Sequence, residues 1–400
     1  MNFDSSVDSL STELVELSHR IHSLAEIGFE ERESAAAIAE MLEQRGFAID
    51  RGIAELPTAF KASLGTGALH IGLIAEYDAL PGVGHACGHN IIASASVGAA
   101  LALAGCADEL DITVSVFGTP AEEGGGGKIF MLQRGVFDGV HAALMVHPAS
   151  IERDAMSTLA TAQLEVEFKG KASHAAAAPE RGISASAAIA LAQSGIAFLR
   201  EHLTSDQRIH GIVTNGGTAP NVVPERTTGR WFVRANTIDS KNHLEQRVLD
   251  VFRGAAQMTG CELSIRKVAP SFSDLRSNSQ LQDIWRSCAA ELGRESLAIQ
   301  PDDGLASTDM GNVSYAIPSI HPLIALDTSG ANIHEAEFAR FAAEETGDKA
   351  VIDGAKLLAN TVKRAAENTE LRKSLISNTY AVTDAGDAPY LDWHWSDTLH

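Results

Sequence analysis

Three short and nearly uninterrupted apolar runs constrain this chain more than any other feature: residues 69–75 (Leu-His-Ile-Gly-Leu-Ile-Ala), 111–117 (Asp-Ile-Thr-Val-Ser-Val-Phe) and 142–146 (Ala-Ala-Leu-Met-Val). A strand with apolar side chains on both faces has no polar face to turn to water, so it must be covered twice. The segments between the runs, 91–104 and 128–134, carry helical patterns and can supply that cover. The alternation predicts an α/β fold, a mixed and mainly parallel sheet flanked by helices. Upstream, Leu10, Leu14, Leu17, Ile21 and Leu24 recur at spacings of three and four, which predicts an amphipathic helix over 8–26. A second packing helix over 31–45 is closed by Gly46.

From about Thr161 the period changes. Gln163, Glu165 and Glu167 alternate with Leu164, Val166 and Phe168, the pattern of a half-buried strand. A helix over 183–203, strands near 208–214 and 227–235, a helix over 240–259 and a strand at 261–268 complete a β-α-β-β-α-β order, which suits a ferredoxin-like α+β domain. Past Pro270 helix and strand alternate again, with helices near 279–293 and 342–367. The expected organisation is a discontinuous first domain, 1–160 and 271–400, interrupted by an insert over 161–270. The tail, with Trp393 and Trp395, reads as a docked terminal segment.

Charge narrows the partners. Lys and Arg total 31 against 52 Asp and Glu, a net charge of −21, and no basic run occurs. Nucleic acid and anionic membrane surfaces are thereby excluded as main partners, since both require concentrated cations. The N-terminus has no basic segment followed by an apolar core, and no apolar window is long enough to cross a bilayer. Cys87, Cys106, Cys261 and Cys288 are too few and scattered for a disulfide framework. A cytoplasmic protein with reduced thiols is expected.

Open α/β sheets bind ligands beyond the carboxyl ends of their strands, and that is where the chemistry-bearing residues fall. The first run leads into Glu76-Tyr77-Asp78-Ala79-Leu80-Pro81 and His85-Ala86-Cys87-Gly88-His89. The second leads into Pro120-Ala121-Glu122-Glu123-Gly124, and the third into His147-Pro148. Taken singly, Glu122-Glu123 suits a helix start, where acids meet the positive end of the dipole. His147 alone suits a satisfied core histidine. Repetition at successive strand ends favours a different reading, because thiolate, imidazole and carboxylate together are the ligand set of zinc or manganese. Adjacent glutamates can divide the labour, one binding metal while the other takes the proton of a water.

These motifs, with Gly170-Lys171-Ala172-Ser173-His174 and Gly216-Gly217-Thr218-Ala219-Pro220-Asn221-Val222-Val223-Pro224, resemble the cocatalytic metallopeptidases of the aminoacylase and glutamate carboxypeptidase kind. The nearest branch is that of p-aminobenzoyl-glutamate hydrolase and the cytosolic β-alanyl dipeptidases, and the resemblance runs from about residue 15 to 340. It implies a zinc-peptidase-like fold with an inserted lid and dimerisation domain, and a homodimer. Two divalent ions, zinc or manganese with cobalt also possible, would be held by Cys87, His89, Glu123, His147 and His334. His321 is an alternative to His334, and His85 would be structural. Glu122 would be the general base and Asp78 would orient a ligand. His174 would hold the oxyanion in a partner's active site, and Asn221 and Arg234 would hold a substrate carboxylate. Asn221 equally suits a turn cap, and Arg234 an ion-paired strand face. Residues 307–314 (Ser-Thr-Asp-Met-Gly-Asn-Val-Ser) match the same branch, and a helix cap by Ser307 or Thr308 accounts for them equally well. The implied activity is metal-dependent hydrolysis of an amide in a small N-acyl amino acid or dipeptide. A deaminase on the same scaffold and a non-catalytic binding protein are the alternatives.

Overall fold

The computed structural model describes residues 3–300, 303, 306–382 and 391, so the Trp393 and Trp395 tail lies outside the described residues. The chain divides into two compact units, one made from Met1–Ser157 and Leu275–Gly386, the other built on Thr158–Asp274.

The first unit opens with helices α1 (Phe3–Ser9), α2 (Ser11–Leu24) and α3 (Arg32–Gln44). The single helix expected over 8–26 is thus two, broken at Leu10, and the Ser9 hydroxyl bonds back to the Ser6 carbonyl to close the first. Strands β1 (Ala48–Arg51), β2 (Phe60–Leu64), β3 (Leu69–Glu76) and β4 (Ile112–Thr119) follow, with helix α4 (His89–Ala104) between the last two. Helix α5 (Gly127–Gln133) precedes β5 (Ala142–Leu144) and β6 (His147–Ala149).

The second unit holds β7 (Ala160–Lys169), α6 (Ala185–Arg200), β8 (Arg208–Asn215), β9 (Arg226–Ala235), α7 (Ile238–Thr259) and β10 (Glu262–Lys267). Its sheet is antiparallel in the order β10-β7-β9-β8, the ferredoxin-like arrangement. Alternation along β7 and β9 sends Leu164, Val166, Phe168, Trp231 and Val233 to a core shared with α6 and α7. The opposite face carries charge: Glu167 pairs with Arg226, and Glu165 with Arg230 and Arg266. Side-chain caps start both helices, Ser184 accepting from the Ala187 amide and Thr237 from the Ser240 amide.

The chain then returns to the first unit through α8 (Ser279–Glu291), α9 (Met310–Ala316), β11 (Ser319–Ile320), β12 (Leu323–Ala325), α10 (Ala336–Phe341), α11 (Glu345–Glu367) and α12 (Thr369–Ser377). The main sheet has the order β1-β2-β4-β3-β5-β11, parallel from β4 to β11 and antiparallel at its β1-β2 edge. Helix α4 has almost no polar face because helices cover its outer side: a Cβ on Gly98 would come within 2.7 Å of Leu14 and 2.8 Å of Ala355. The apolar run expected over 142–146 ends early. After Leu144 the chain leaves the main sheet, and β6 pairs instead with β12 in a parallel two-stranded ladder. That step carries His147 to the carboxyl end of the sheet.

Candidate metal centre

Four separate segments of the first unit deliver side chains to one place. Beyond β3, Asp78 and Cys87 lie in the connection to α4, and His89 is that helix's first residue. Glu122 and Glu123 occupy the turn between β4 and α5, His147 begins β6, and His334 lies between β12 and α10. Gly88, between Cys87 and His89, has φ of +76°, a left-handed conformation that L side chains resist. A Cβ there would also sit 2.5 Å from Pro148 Cγ, so glycine permits the close approach of the Cys87-His89 and His147-Pro148 segments.

Three overlapping groups of ligand atoms result: Cys87, His89 and His147; Cys87, Glu123 and His334; His89, Glu122 and Glu123. Within each group the atoms lie within 4.8 Å of one another. Cys87, His89 and Glu123 each belong to two of the groups. The structure therefore brings together Cys87, His89, Glu122, Glu123, His147 and His334. His321 joins no such group among the described residues; its fully buried ring stacks behind His147 at 5.5 Å. His85 Nε2 donates a hydrogen bond to the Ile21 carbonyl at 3.1 Å, a structural role.

The donor atoms fit divalent cations. His89 Nδ1 is 3.0 Å from Asp78 Oδ1, which orients the ring and leaves Nε2 buried with no hydrogen-bond partner. Oxygens of Glu122 and Glu123 stand 3.9 and 4.0 Å from that nitrogen, and Glu123 Oε1, itself unpartnered, is 3.6 Å from His334 Nε2. Such spacings are too long for hydrogen bonds and suit atoms that share an ion with bonds of about 2.0–2.2 Å. Left alone, each orphaned polar atom costs about 1–3 kcal/mol. Sulfur, nitrogen and oxygen donors in this mixture suit divalent metal ions.

Crowded negative charge dominates the electrostatics. Burial, then the Glu76 and Glu123 carboxylates, hold the Glu122 carboxyl well above the usual range. Burial, reinforced by Glu123, raises the Cys87 thiol likewise. For His89, burial opposes the charged ring, but Asp78 and Cys87 outweigh it and raise its pKa. Dications would relieve this repulsion. Asp78 also accepts the Glu123 amide at 2.9 Å through its second oxygen, so one carboxylate positions two of the clustered residues.

One supporting residue has no signal in the sequence. Glu31, from the turn before α3, accepts the Ala121 amide at 2.8 Å and the Thr58 hydroxyl at 2.9 Å. It thereby pins Ala121, whose φ is +57°, immediately ahead of Glu122. Burial and then Asp78 push the Glu31 pKa up to about 7. Only three-dimensional proximity reveals this bond, because residues 31 and 121 share no local pattern.

His174, Asn221 and Arg234 belong to the second unit. His174 Nδ1 accepts the Ala176 and Ala177 amides at 3.2 and 3.1 Å, so the neutral ring carries its proton on Nε2. The Asn221 carbonyl accepts the Ala175 amide, which ties the two motif loops together. Arg234, on β9, has a buried Nε without a hydrogen-bond partner and lies over the Phe232 ring at 5.2 Å. In the 307–314 segment, Thr308 accepts the Met310 amide at 3.1 Å at the start of α9.

The chain is similar to known proteins along most of its length. The chain is 33% identical over 374 residues to the Xaa-Arg dipeptidase of Mus musculus, covering 89% of this chain and 86% of that protein. It is 35% identical over 336 residues to one of the subunits of p-aminobenzoyl-glutamate hydrolase from Escherichia coli, covering 77% and 70%. Its fold is that of the YXEP protein of Bacillus subtilis, described as a dinuclear metal-binding peptidase, with a TM-score of 0.71 at 21% identity over 90% of this chain and 99% of that one. Residues 72–364 match the pattern of peptidase family M20/M25/M40, a span that includes every clustered residue from Glu76 to His334. With its donor atoms gathered at the sheet's carboxyl end and its relatives so aligned, the chain belongs to peptidase family M20/M25/M40 and is a metal-dependent hydrolase of amide bonds.

Proposed function

We propose that this enzyme cleaves the amide bond of a small N-acyl amino acid or dipeptide bearing a free carboxylate, of the p-aminobenzoyl-glutamate or β-alanyl dipeptide class. The observation that carries the reading is Glu122, 7% exposed, set beside Glu123 and facing the unpartnered His89 nitrogen. In this reading Cys87, His89, Glu123, His147 and His334 hold two divalent ions, zinc or manganese, and cobalt is an admissible substitute. Bound there, the ions make water more acidic and polarise a carbonyl. Glu122 takes the proton of the attacking water on its carboxylate and returns it to the leaving nitrogen. His174 donates its Nε2 proton to the developing oxyanion. Arg234, whose planar fork suits a carboxylate, and Asn221 hold the substrate's charged end. Asp78 keeps the His89 ring turned.

The second unit serves in this proposal as a lid and as the contact of a homodimer, with His174 acting in the partner's active site. Strand β8 lies at an edge of its sheet, and Ile212 on it and Phe198 on α6 are 64% and 67% exposed, apolar surface that a second copy can cover. A reducing cytoplasmic setting suits a thiolate ligand, and all four cysteines are free. The test is Glu122→Gln assayed for release of free amino groups from N-acyl amino acids, β-alanyl dipeptides and Xaa-Arg dipeptides. Turnover should fall by about 10²–10⁴-fold while metal content is unchanged. Activity retained in that variant sinks the mechanism, and ammonia release without a freed amino acid identifies a deaminase instead.

A further inference from the structure

By distance, the carboxylate nearest His89 Nε2 is that of Glu76, whose Oε2 stands 3.6 Å away, closer than either Glu122 or Glu123. That oxygen has no hydrogen-bond partner, while the other is paired with an ammonium. Lys128 Nζ lies 2.6 Å from Glu76 Oε1 and 2.6 Å from Asp309 Oδ1, and all three side chains are wholly buried. Asp309 Oδ2 also accepts the Lys128 amide at 3.0 Å, so the ammonium and the backbone that carries it are fixed by the same carboxylate. The three residues come from the end of β3, the start of α5 and the residue before α9.

We propose that Lys128 is a positioning residue of the metal centre: its ion pair with Glu76 keeps that carboxylate out of the ligand set. The inference rests on the metal-centre reading above. A buried ammonium is stable only with its counter-charges in place, and turning Glu76 wholly toward a cation would leave Lys128 with Asp309 alone. With Glu76 withheld, the centre keeps a coordination position for water, as a catalytic site requires.

The experiment compares wild type, Glu76→Gln, the pair Lys128→Met with Asp309→Asn, and the triple variant. The paired change removes the ammonium together with the carboxylate it would orphan. Zinc and manganese affinities are measured by competition with a fluorescent chelator, and stoichiometry by elemental analysis. Glu76→Gln should bind the same number of ions as wild type with little change in affinity. The paired variant should bind metal at least about tenfold more tightly, a change of the size that residues behind metal ligands produce, and Glu76→Gln should abolish that gain in the triple variant. A wild-type protein that binds no metal overturns the functional reading itself. Wild-type binding that is lost with Glu76→Gln overturns only this inference, because Glu76 is then already a ligand. A paired variant that folds without the Glu76-dependent gain overturns it too. If that variant does not fold, the Glu76→Gln stoichiometry decides.

Discussion

Replacing Gly88 with alanine tests whether the Cys87-His89 loop and the His147-Pro148 strand start are held in mutual contact by the absence of one side chain. Two penalties follow from the structure. Gly88 sits at φ +76° and ψ 27°, where an L residue costs about 1–2 kcal/mol. The added Cβ would meet Pro148 Cγ at 2.5 Å and Phe338 Cε1 at 3.5 Å. A proline ring cannot swing aside as a flexible side chain can, so overpacking adds about 1–3 kcal/mol. The sum, about 2–5 kcal/mol, is a large part of the roughly 5–15 kcal/mol by which most domains are stable. Relief must come from moving Pro148, and with it His147, whose Nε2 is 3.4 Å from Cys87 Sγ. Urea unfolding of the chelator-treated variant should therefore show the stability loss, and competition titration should show metal affinity reduced by about tenfold or more. Wild-type stability and affinity in Gly88→Ala would refute both arguments. A stability loss with unchanged affinity would refute the coupling to His147.

Asp78→Asn should lower metal affinity by about 10–100-fold, since Asp78 orients His89 and the Glu123 amide; unchanged competition titrations would exclude that role. His70, on β3, has its pKa lowered to about 4, by burial first and then by Lys61 and His141. Above about pH 6.5 the ring is neutral folded or unfolded, and between about pH 6.5 and 4 only the unfolded chain takes the proton, so stability should fall by up to about 2–3 kcal/mol and then level off. His70→Gln should flatten that part of the profile, measured by urea unfolding at pH 7 and 4.5; an identical slope refutes it. Chelation should lower stability by about 3–4 kcal/mol relative to protein held at 100 to 1,000 times the metal dissociation constant, and a melting midpoint insensitive to metal would contradict a folded-state site.

What was legible in the sequence is what local pattern encodes. Runs 69–75 and 111–117 read as buried strands because apolar residues dominate both, and the residues beyond them read as ligands because strand ends are where such sheets place chemistry. The inserted unit was legible through the alternation at 163–168 and the order of its elements. Other features depend on pairs of residues far apart in the chain. The split of 142–149 between two sheets is set by β11 and β12, near residues 319–325, which the run itself cannot register. The choice between His334 and His321 turns on which ring faces Glu123 and which lies behind His147. Nothing local marks Lys128, because its partners lie 52 residues before it and 181 after it.

That separation has a thermodynamic consequence. Cys87 and His334 meet only when β3, β6 and the segment before α10 are in place, so the clustered donors cannot exist in the unfolded chain. Metal binding energy is then folding energy, added after the sheet has formed. In the folded state burial, more than any neighbouring charge, holds the Glu122 carboxyl well above its usual range and pushes the Asp309 pKa up to about 6, even with the Lys128 ammonium beside Asp309. Buried carboxylates with so little counter-charge either take up protons or require cations. Loading the centre should therefore release protons, and the number released per ion, read by titration calorimetry in buffers of different ionisation enthalpy, should rise as pH falls toward the range where these groups are protonated. Proton release independent of pH would mean that the cluster is already fully ionised before metal arrives, and that its negative charge is balanced by something other than the ions.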